Sequence, residues 1–458
     1  MVTISKVRIW NIKSIREATI ELKPLTIFIG PNASGKSTII HSIYWLYLKS
    51  NENPNFSRSI SSSEQELFNV DSYDDLALGR DLNKVWMGVE LELQIPPDVK
   101  DKLVKMIFDV EWPLLNLRPP ELEQLIIGFR LHRNVRRELD YEYHIAVNSL
   151  DFSLKCWYDE MRGTYRWYLT GPLKAEEASH LSCTLFSNLY FSSMISSYRK
   201  EIPEDEAREL KKLERFFEAL LFEIKKIFEV FMLSPLRGTI PLKDSARVAE
   251  RLGARGEGIL RALARALLYY DPRVSEELKE MITSWAERFG ITKLNMGLDE
   301  EGKIRATFRD LDTYVDLAMG SHGQRQLLTM LIQLIITPRN SIIAIEEPEI
   351  SLHPNAQALL PLLFADVIKR HKKQILVTTH SSILALALSD AIMGSEEYPD
   401  IPKLDVSDIA VYHVVRDKEG CAKIEPLKLT KEGYIEGGIP SFVDVEAKLY
   451  KRMLERLS

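Results

Sequence analysis

The sequence predicts an α/β fold, with a mixed or parallel sheet at its core, an antiparallel β subdomain and a largely helical insert. Three observations lead there. Leu25–Ile29 is a continuous apolar run that passes through a small-residue loop into a helix, the pattern of a buried parallel strand and its crossover. Residues 341–345 form a second such run, ending in Glu346-Glu347. Between them, over 85–170, apolar residues recur at every second position, which marks antiparallel strands with one wet face.

Taken in order, Val7 and Ile9, then Ile20 and Leu22, alternate with Arg8, Trp10 and Glu21, giving two half-buried strands before the buried one. Residues 51–63 are rich in Ser, Asn and Pro and read as an excursion from the core. The meander follows, with Met87, Val89, Leu91, Leu93 and Ile95 on one face, then Leu125 to Leu131, Tyr141 to Val147, Phe152 to Cys156 and Tyr165 to Leu169 in the same rhythm. The basic cluster Arg130, His132, Arg133, Arg136 and Arg137 is expected at one of its turns, as a solvated loop, because Glu138 and Asp140 follow at once. Over 201–231 the apolar residues Leu210, Leu213, Phe217, Leu220, Ile224, Ile227 and Phe231 recur at three or four, predicting a helix with a core-facing stripe. Gly253, Gly256 and Gly258 follow no strand and read as a loop into a helix over 259–270, with another over 275–289. No internal repeat and no long heptad array is present.

The chain has 458 residues, enough for two or three cored units. Its net charge of −6 and pI near 6.0 argue against a surface dominated by attraction to nucleic acid, although a local basic groove is compatible with that average. Cys156, Cys183 and Cys421 form no C-x-x-C pair, so neither a disulfide framework nor a zinc knuckle is expected and a reducing cytoplasm fits. No apolar stretch reaches the length of a membrane span, and the residues after Met1 run straight into a strand pattern without a signal-peptide core.

The chemistry starts at Gly30-Pro31-Asn32-Ala33-Ser34-Gly35-Lys36-Ser37-Thr38. Glycine at Gly30 and Gly35 lets backbone N–H groups curl round an anion, and the helix that follows points its positive N-terminus at the same place. The spacing G-x-x-x-x-G-K-S is that of a triphosphate-binding loop, in which Lys36 reaches the β- and γ-phosphates and the Ser37 hydroxyl ligates Mg²⁺. The second half of the site comes late in the chain. An apolar strand that delivers carboxylates at its end suits a Mg²⁺-nucleotide: Glu346 is expected to hold the metal and Glu347 to polarise the attacking water. A third buried run, 374–379, ends in His380, a candidate partner for the γ-phosphate. Ahead of both, Ser321 is placed to cap the apolar helix that continues through 327–336, leaving exposed N–H groups that form an anion site with Gly323 and Gln324.

These residues together resemble a known family. The Gly30 to Thr38 loop, Ser321-His322-Gly323-Gln324-Arg325-Gln326, Ile345-Glu346-Glu347-Pro348-Glu349, Ser351-Leu352-His353-Pro354 and Thr379-His380-Ser381 look like the Walker A, signature, Walker B, D-loop and switch-histidine motifs of ATP-binding-cassette ATPases. Within that superfamily, Asn11-Ile12-Lys13-Ser14-Ile15 and the Glu-Glu-Pro-Glu run resemble RecF-like and OLD-like AAA ATPases. The likeness covers 1–48 and 314–385, while the middle suits that group's variable insert. It implies an ABC-type head made of 1–48 and 301–458, a β subdomain over 85–170 and a helical insert over 171–300. Three departures stand out: Glu346 replaces the usual aspartate, His322 replaces a signature glycine, and only Gln65 and Gln94 offer themselves as a Mg²⁺-sensing glutamine.

The resemblance further implies a head-to-head homodimer with two ATPs between subunits, each on Lys36 of one chain and facing Ser321 and Gly323 of the other. The acidic pattern of a Toprim nuclease does not follow Ser381. The expected activity is therefore Mg-dependent ATP hydrolysis in a dimer that controls a separate effector, nuclease-like or toxin-like, in defence against foreign DNA. The alternative is a DNA-binding ATPase of DNA repair or maintenance. The ATP-binding subunit of a transporter fits less well, because the stretch between Lys36 and Ser321 exceeds what that role needs.

Overall fold

The structure is a computed structural model. It describes residues 3–51, 60–95, 124–133, 139–147, 150–159, 164–170, 175–179, 228–245, 252–268 and 276–443, with a few isolated residues between them. The helical stripe expected over 201–231 lies outside the described residues up to 218. The chain folds as two compact units. The first takes Met1–Lys23, Ala33–Glu229 and Val415–Ile424, and the second takes Pro24–Asn32, Val230–Val414 and Glu425–Ser458.

In chain order the elements used below are β1 (Thr3–Ile12), β2 (Ile15–Glu21), β3 (Leu25–Ile29), α1 (Lys36–Asn51), α2 (Ser62–Phe68), β4 (Met87–Gln94), β5 (Gln124–Arg133), β6 (Leu139–Val147), β7 (Leu150–Asp159), β8 (Thr164–Thr170) and β9 (Ala175–Ser179). They continue with β10 (Val230–Leu233), α3 (Ile259–Leu267), α4 (Glu276–Arg288), β11 (Thr292–Leu298), β12 (Ile304–Asp310), β13 (Thr313–Asp316), α5 (His322–Ile336), β14 (Ile342–Glu346), α6 (Pro354–His371), β15 (Gln374–Thr379), β16 (Ile409–Arg416) and β17 (Ala422–Leu427).

The first unit is built on one eight-stranded antiparallel sheet in the order β2-β1-β4-β5-β6-β7-β8-β9. The period of two decides its faces: Val7, Ile9, Val89, Leu91, Ile127 and Phe129 are buried on one side, as alternation requires. Helix α1 covers that side, its Trp45 set edge-on to Phe68 and to Phe129 at 5.8 and 5.1 Å. A charged network closes the far end of α1. Lys49 is buried there, 2.8 Å from Glu64 Oε1, and donates to the Tyr73 hydroxyl at 3.0 Å. The Trp45 indole N–H also donates to Glu64. The basic residues expected at a turn belong partly to a strand instead. Arg130, His132 and Arg133 are in β5, because the apolar alternation that ends at Leu131 carries the pairing on to Arg133 opposite Leu139. Arg130 stacks over Trp10 and Trp86, Arg133 pairs with Asp74 at 2.7 Å, and Arg136 and Arg137 lie outside the described residues.

The second unit centres on a six-stranded sheet in the order β10-β14-β15-β3-β16-β17. Strands β10, β14, β15, β3 and β16 run parallel. Every residue of β3, β14 and β15 is buried, which is why these runs are apolar without alternation. The α/β class read from the sequence is thus the observed one, and it corrects the expectation that the helical pattern runs through Phe231. Val230-Phe231-Met232-Leu233 is a buried strand paired with β14, a continuous apolar run that periodicity alone cannot tell from the end of a buried helix. Around the sheet, α3, α4, α5 and α6 share one apolar core with Leu25, Ile27, Ile343, Ile345, Ile375 and Val377. Lys373 is buried here and donates to the carbonyls of Leu334 and Ile335 at 2.6 and 2.9 Å, satisfying the end of α5. A small antiparallel sheet, β11-β12-β13, precedes α5.

Candidate nucleotide site

In a parallel sheet all strands end on the same edge, and the register brings three chemically loaded ends side by side. Glu346 pairs with Thr378, Thr378 with Phe28 and Thr379 with Ile29. The residues that leave the sheet next are Glu347, His380 and Gly30, on adjacent strands β14, β15 and β3. This is the edge at which open α/β sheets bind ligands.

Gly30 has φ +155°, and a Cβ there would lie 2.1 Å from the Val414 carbonyl oxygen of β16. Only glycine lets β3 leave the sheet so close to its neighbour. The loop crest, Pro31, Asn32 and Ala33, is exposed, whereas Ser34 is buried and its hydroxyl has no hydrogen-bond partner among the described residues. Arg416 steadies the crest by donating Nε–H to the Ala33 carbonyl at 2.6 Å. At Gly35, φ is +110° and a Cβ would sit 2.9 Å from Ala422 Cβ and 3.0 Å from Ser14 Oγ. Lys36, 5 % exposed, opens α1, with Ser37 and Thr38 in its first turn.

On β14, Glu346 is buried and Glu347 is half-buried with φ +43°, a left-handed backbone that a non-glycine residue adopts only when its surroundings hold it there. The surroundings are visible. Glu347 N–H donates to the Thr378 carbonyl at 2.9 Å. Arg237, at the carboxyl end of β10, donates to the carbonyls of Glu346 and Glu347 at 2.8 and 3.1 Å and to that of Ser234 at 3.0 Å. Arg237 is 3 % exposed, and burial draws its guanidinium down to about 10 against the opposing pull of Glu349, Glu347 and Glu346. His380 Nε2 lies 3.6 Å from Glu347 Oε1. Glu349 Oε1 accepts from the Thr379 hydroxyl and from the His380 backbone N–H, each at 2.7 Å, and so ties the acidic turn to the histidine.

Ser321 caps α5 as its sequence predicts. The hydroxyl accepts from Gln324 N–H at 3.2 Å, and the Gln324 side chain accepts from Ser321 N–H at 2.8 Å. The Gln324 amide oxygen is therefore engaged in the cap. Ser321 and His322 are exposed, and the helix is buried only from Gln326 onward. His322 Nδ1 meets Ser351 Oγ at 3.1 Å, and a Cβ at Gly323 would lie 2.5 Å from the Ser351 carbonyl oxygen. The signature residues and the loop after Glu349 are thus packed on one another. Gln65 and Gln94 belong to α2 and β4 in the first unit. The strand beside β14 is followed by Ser234-Pro235-Leu236-Arg237, and the sequence assigns no individual role to Arg237 or to Glu349.

The groups present suit a magnesium nucleotide. In the first unit, Gly35, where a Cβ would crowd Ala422 and Ser14, and the Ser34 hydroxyl, without a hydrogen-bond partner among the described residues, suit a phosphate group. Among the described residues no group of three or more His, Cys, Asp or Glu is placed to hold a metal by itself. Mg²⁺ with a nucleotide asks for less, one or two protein oxygens beside those of phosphate and water, and Glu346, buried at the end of β14, offers a carboxylate of that kind. No helix among the described residues is long and apolar enough to cross a membrane.

A family model agrees with this chemistry. The family model AAA_15, described as an AAA ATPase domain, matches residues 3–385. No curated protein matches the chain. Among solved structures, the Smc head domain of Pyrococcus furiosus, with an extended coiled coil and bound to the C-terminal domain of ScpA, matches at 12 % identity and a TM-score of 0.43, covering 98 % of this chain and 100 % of that one. The SMC head domain of Thermotoga maritima matches at 13 % identity and 0.36, covering 93 % and 99 %. The Smc head domain of Pyrococcus yayanosii, with a coiled coil and joint, matches at 12 % and 0.42, covering 94 % and 98 %.

Proposed function

We propose, from the premise that this chain belongs to the AAA ATPase domain family, that it hydrolyses Mg-ATP between two copies of itself and uses the closing of that pair to control a partner effector. The observation that carries this reading is the register that sets Gly30, Glu347 and His380 at the ends of three neighbouring parallel strands. In this reading Gly30 to Gly35 wrap the phosphates with backbone N–H groups, and Lys36 carries the charge that the β- and γ-oxygens meet. Mg²⁺, held by Ser37 and Glu346, would neutralise charge between those phosphates. Glu347 accepts a proton from the attacking water, and His380 fixes the Glu347 carboxylate and faces the γ-phosphate. Ser321, exposed at the start of α5, and Gly323 contribute to the partner's nucleotide in this reading, supplying donors where charge develops in the transition state. The reading includes a head of 1–48 and 301–458, a β subdomain of 85–170 and an insert of 171–300, of which β10, α3 and α4 belong with the sheet and core of the head.

A role against foreign DNA and a nuclease-like or toxin-like effector belong to this proposal, as does location in the cytoplasm. Direct DNA binding receives less support, because Arg130, His132 and Arg133 are each already engaged by Trp10 and Trp86, Asp140 or Asp74. The deciding experiment is light scattering of Glu347→Gln with saturating Mg-ATP, followed by capture of what co-purifies, with and without DNA. A dimer that forms with ATP and not ADP is expected. A strictly monomeric protein under those conditions overturns the reading.

A further inference from the structure

Glu347 cannot hold its own geometry. Its φ of +43° is a left-handed conformation that strains a non-glycine residue and persists only where it is over-determined. Two of its neighbours in the chain are also acids, so three carboxylates leave the sheet within four residues, Glu346, Glu347 and Glu349. Their mutual repulsion would spread the turn unless a positive charge lay beside it.

That charge comes from a distant segment. Strand β10 pairs in parallel with β14, Leu233 opposite Ile345, so the loop that follows β10 rises beside the acidic turn. Arg237 turns Nη1 and Nη2 to backbone, donating to the carbonyls of Glu346, Glu347 and Ser234, while its buried Nε has no hydrogen-bond partner among the described residues. A planar guanidinium can bridge two successive carbonyls in this way, and a point charge cannot do so with equal rigidity. The loop is itself pinned. Gly238 has φ +87°, and a Cβ there would meet the backbone of α5, 2.9 Å from Gln326 N and 3.1 Å from Arg325 C. Arg237 is thereby fixed between the acidic turn and the helix that Ser321 begins.

We propose that Arg237 is a positioning residue for ATP hydrolysis, holding the Glu346 and Glu347 carbonyls so that the Glu347 carboxylate keeps its place beside His380. This rests on the reading of Glu347 as the group that activates water. Arg237 touches neither nucleotide nor water in this role. It acts through Glu347, so its loss should slow turnover and spare binding.

The test uses the full chain with Mg-ATP, comparing Arg237→Ala, Arg237→Lys, Glu347→Gln and the Arg237→Ala/Glu347→Gln pair in steady-state hydrolysis, with binding of a fluorescent ATP analogue as the second readout. Arg237→Ala is expected to lower kcat about 10–100-fold, the size of effect that misplacing a reacting group by about an ångström produces, while KM and analogue affinity move less than about threefold. Arg237→Lys should recover part of kcat, since an ammonium can reach one carbonyl. In the Glu347→Gln background the same alanine should cost less than about twofold, because groups that act as a unit are not additive. An unchanged kcat in Arg237→Ala, or an equal loss in both backgrounds, overturns the proposal. If Arg237→Ala does not fold, the kcat-against-KM split of Arg237→Lys decides, a loss in affinity alone counting against it. Full hydrolysis by Glu347→Gln would instead overturn the reading of the site itself.

Discussion

His380 Nε2 and Glu347 Oε1 stand 3.6 Å apart at the ends of adjacent parallel strands. The distance is that of a contact one side-chain rotation away from a hydrogen bond, and such geometry tightens on substrate binding in many sites. The pair is braced from behind by Glu349, which accepts from the His380 backbone N–H and the Thr379 hydroxyl.

This arrangement predicts an order of effects. Glu347→Gln should lower kcat by at least about 10²-fold, the usual worth of a general base, and His380→Ala by a smaller factor, since it orients and stabilises and does not take the proton. Glu349→Gln should resemble His380→Ala, through loss of the charge-assisted bonds to Thr379 and His380. Single-turnover hydrolysis with each purified variant gives the ranking, and a His380→Ala protein slower than Glu347→Gln would reverse the roles.

Ser321 separates a stability effect from a functional one. Its hydroxyl caps α5, and replacing such a cap by alanine costs about 1 kcal/mol. Ser321→Asn restores the cap but changes the shape of what a second chain would meet. Ser321→Ala should melt slightly earlier, and both variants should bind ATP normally yet fail to dimerise with it in the Glu347→Gln background. Normal dimerisation by both would confine Ser321 to capping.

The parts of the site that sequence made legible are those whose chemistry is local. The glycine spacing of the Gly30 to Lys36 loop, the apolar run into Glu346 and the Ser321-x-x-Gln324 cap each depend on residues within a few positions. Arg237 was illegible because its partners are 109 and 110 positions away and its strand is four residues long, merged in sequence with the helical stripe before it. Glu349 was visible as an acid, but its role depends on a strand 30 residues further on. The β11-β12-β13 sheet has its own local signal: Ile304, Ala306 and Phe308 are buried alternately along β12, the period-two pattern of a half-buried strand.

The buried pair at the end of α1 predicts a double-mutant result. Burial pushes the Glu64 carboxyl up, but the charge of Lys49 and the bonds from Lys49, Trp45 and Ser61 prevail and hold it below its ordinary value. Removing one member leaves the other charge buried without its counter-ion, a loss of about 3–5 kcal/mol, whereas replacing both by uncharged groups of similar volume is often close to neutral. Lys49→Met and Glu64→Gln should each destabilise strongly in denaturant titrations, and the double variant should recover most of the loss. Losses that simply add would mean that the ion pair contributes nothing as a pair.

Away from the site, His371 makes stability depend on pH. Its ring is buried against Met281 Sδ at 3.1 Å, and burial, with Lys373, Arg339 and Arg370 adding to it, draws its pKa from 6.5 to about 4. The unfolded chain therefore takes up this proton first as pH falls, so stability is full above about 6.5 and declines towards about 4, where the folded state is protonated too. The gap corresponds to at most about 3 kcal/mol. His371→Leu, which keeps an apolar contact with Met281 and cannot titrate, should flatten the stability profile between those limits, beyond what carboxylates such as Glu64 contribute lower down. Parallel profiles for the variant and the parent, measured by urea unfolding at pH 7, 6 and 5, would show that the folded and unfolded states bind this proton alike.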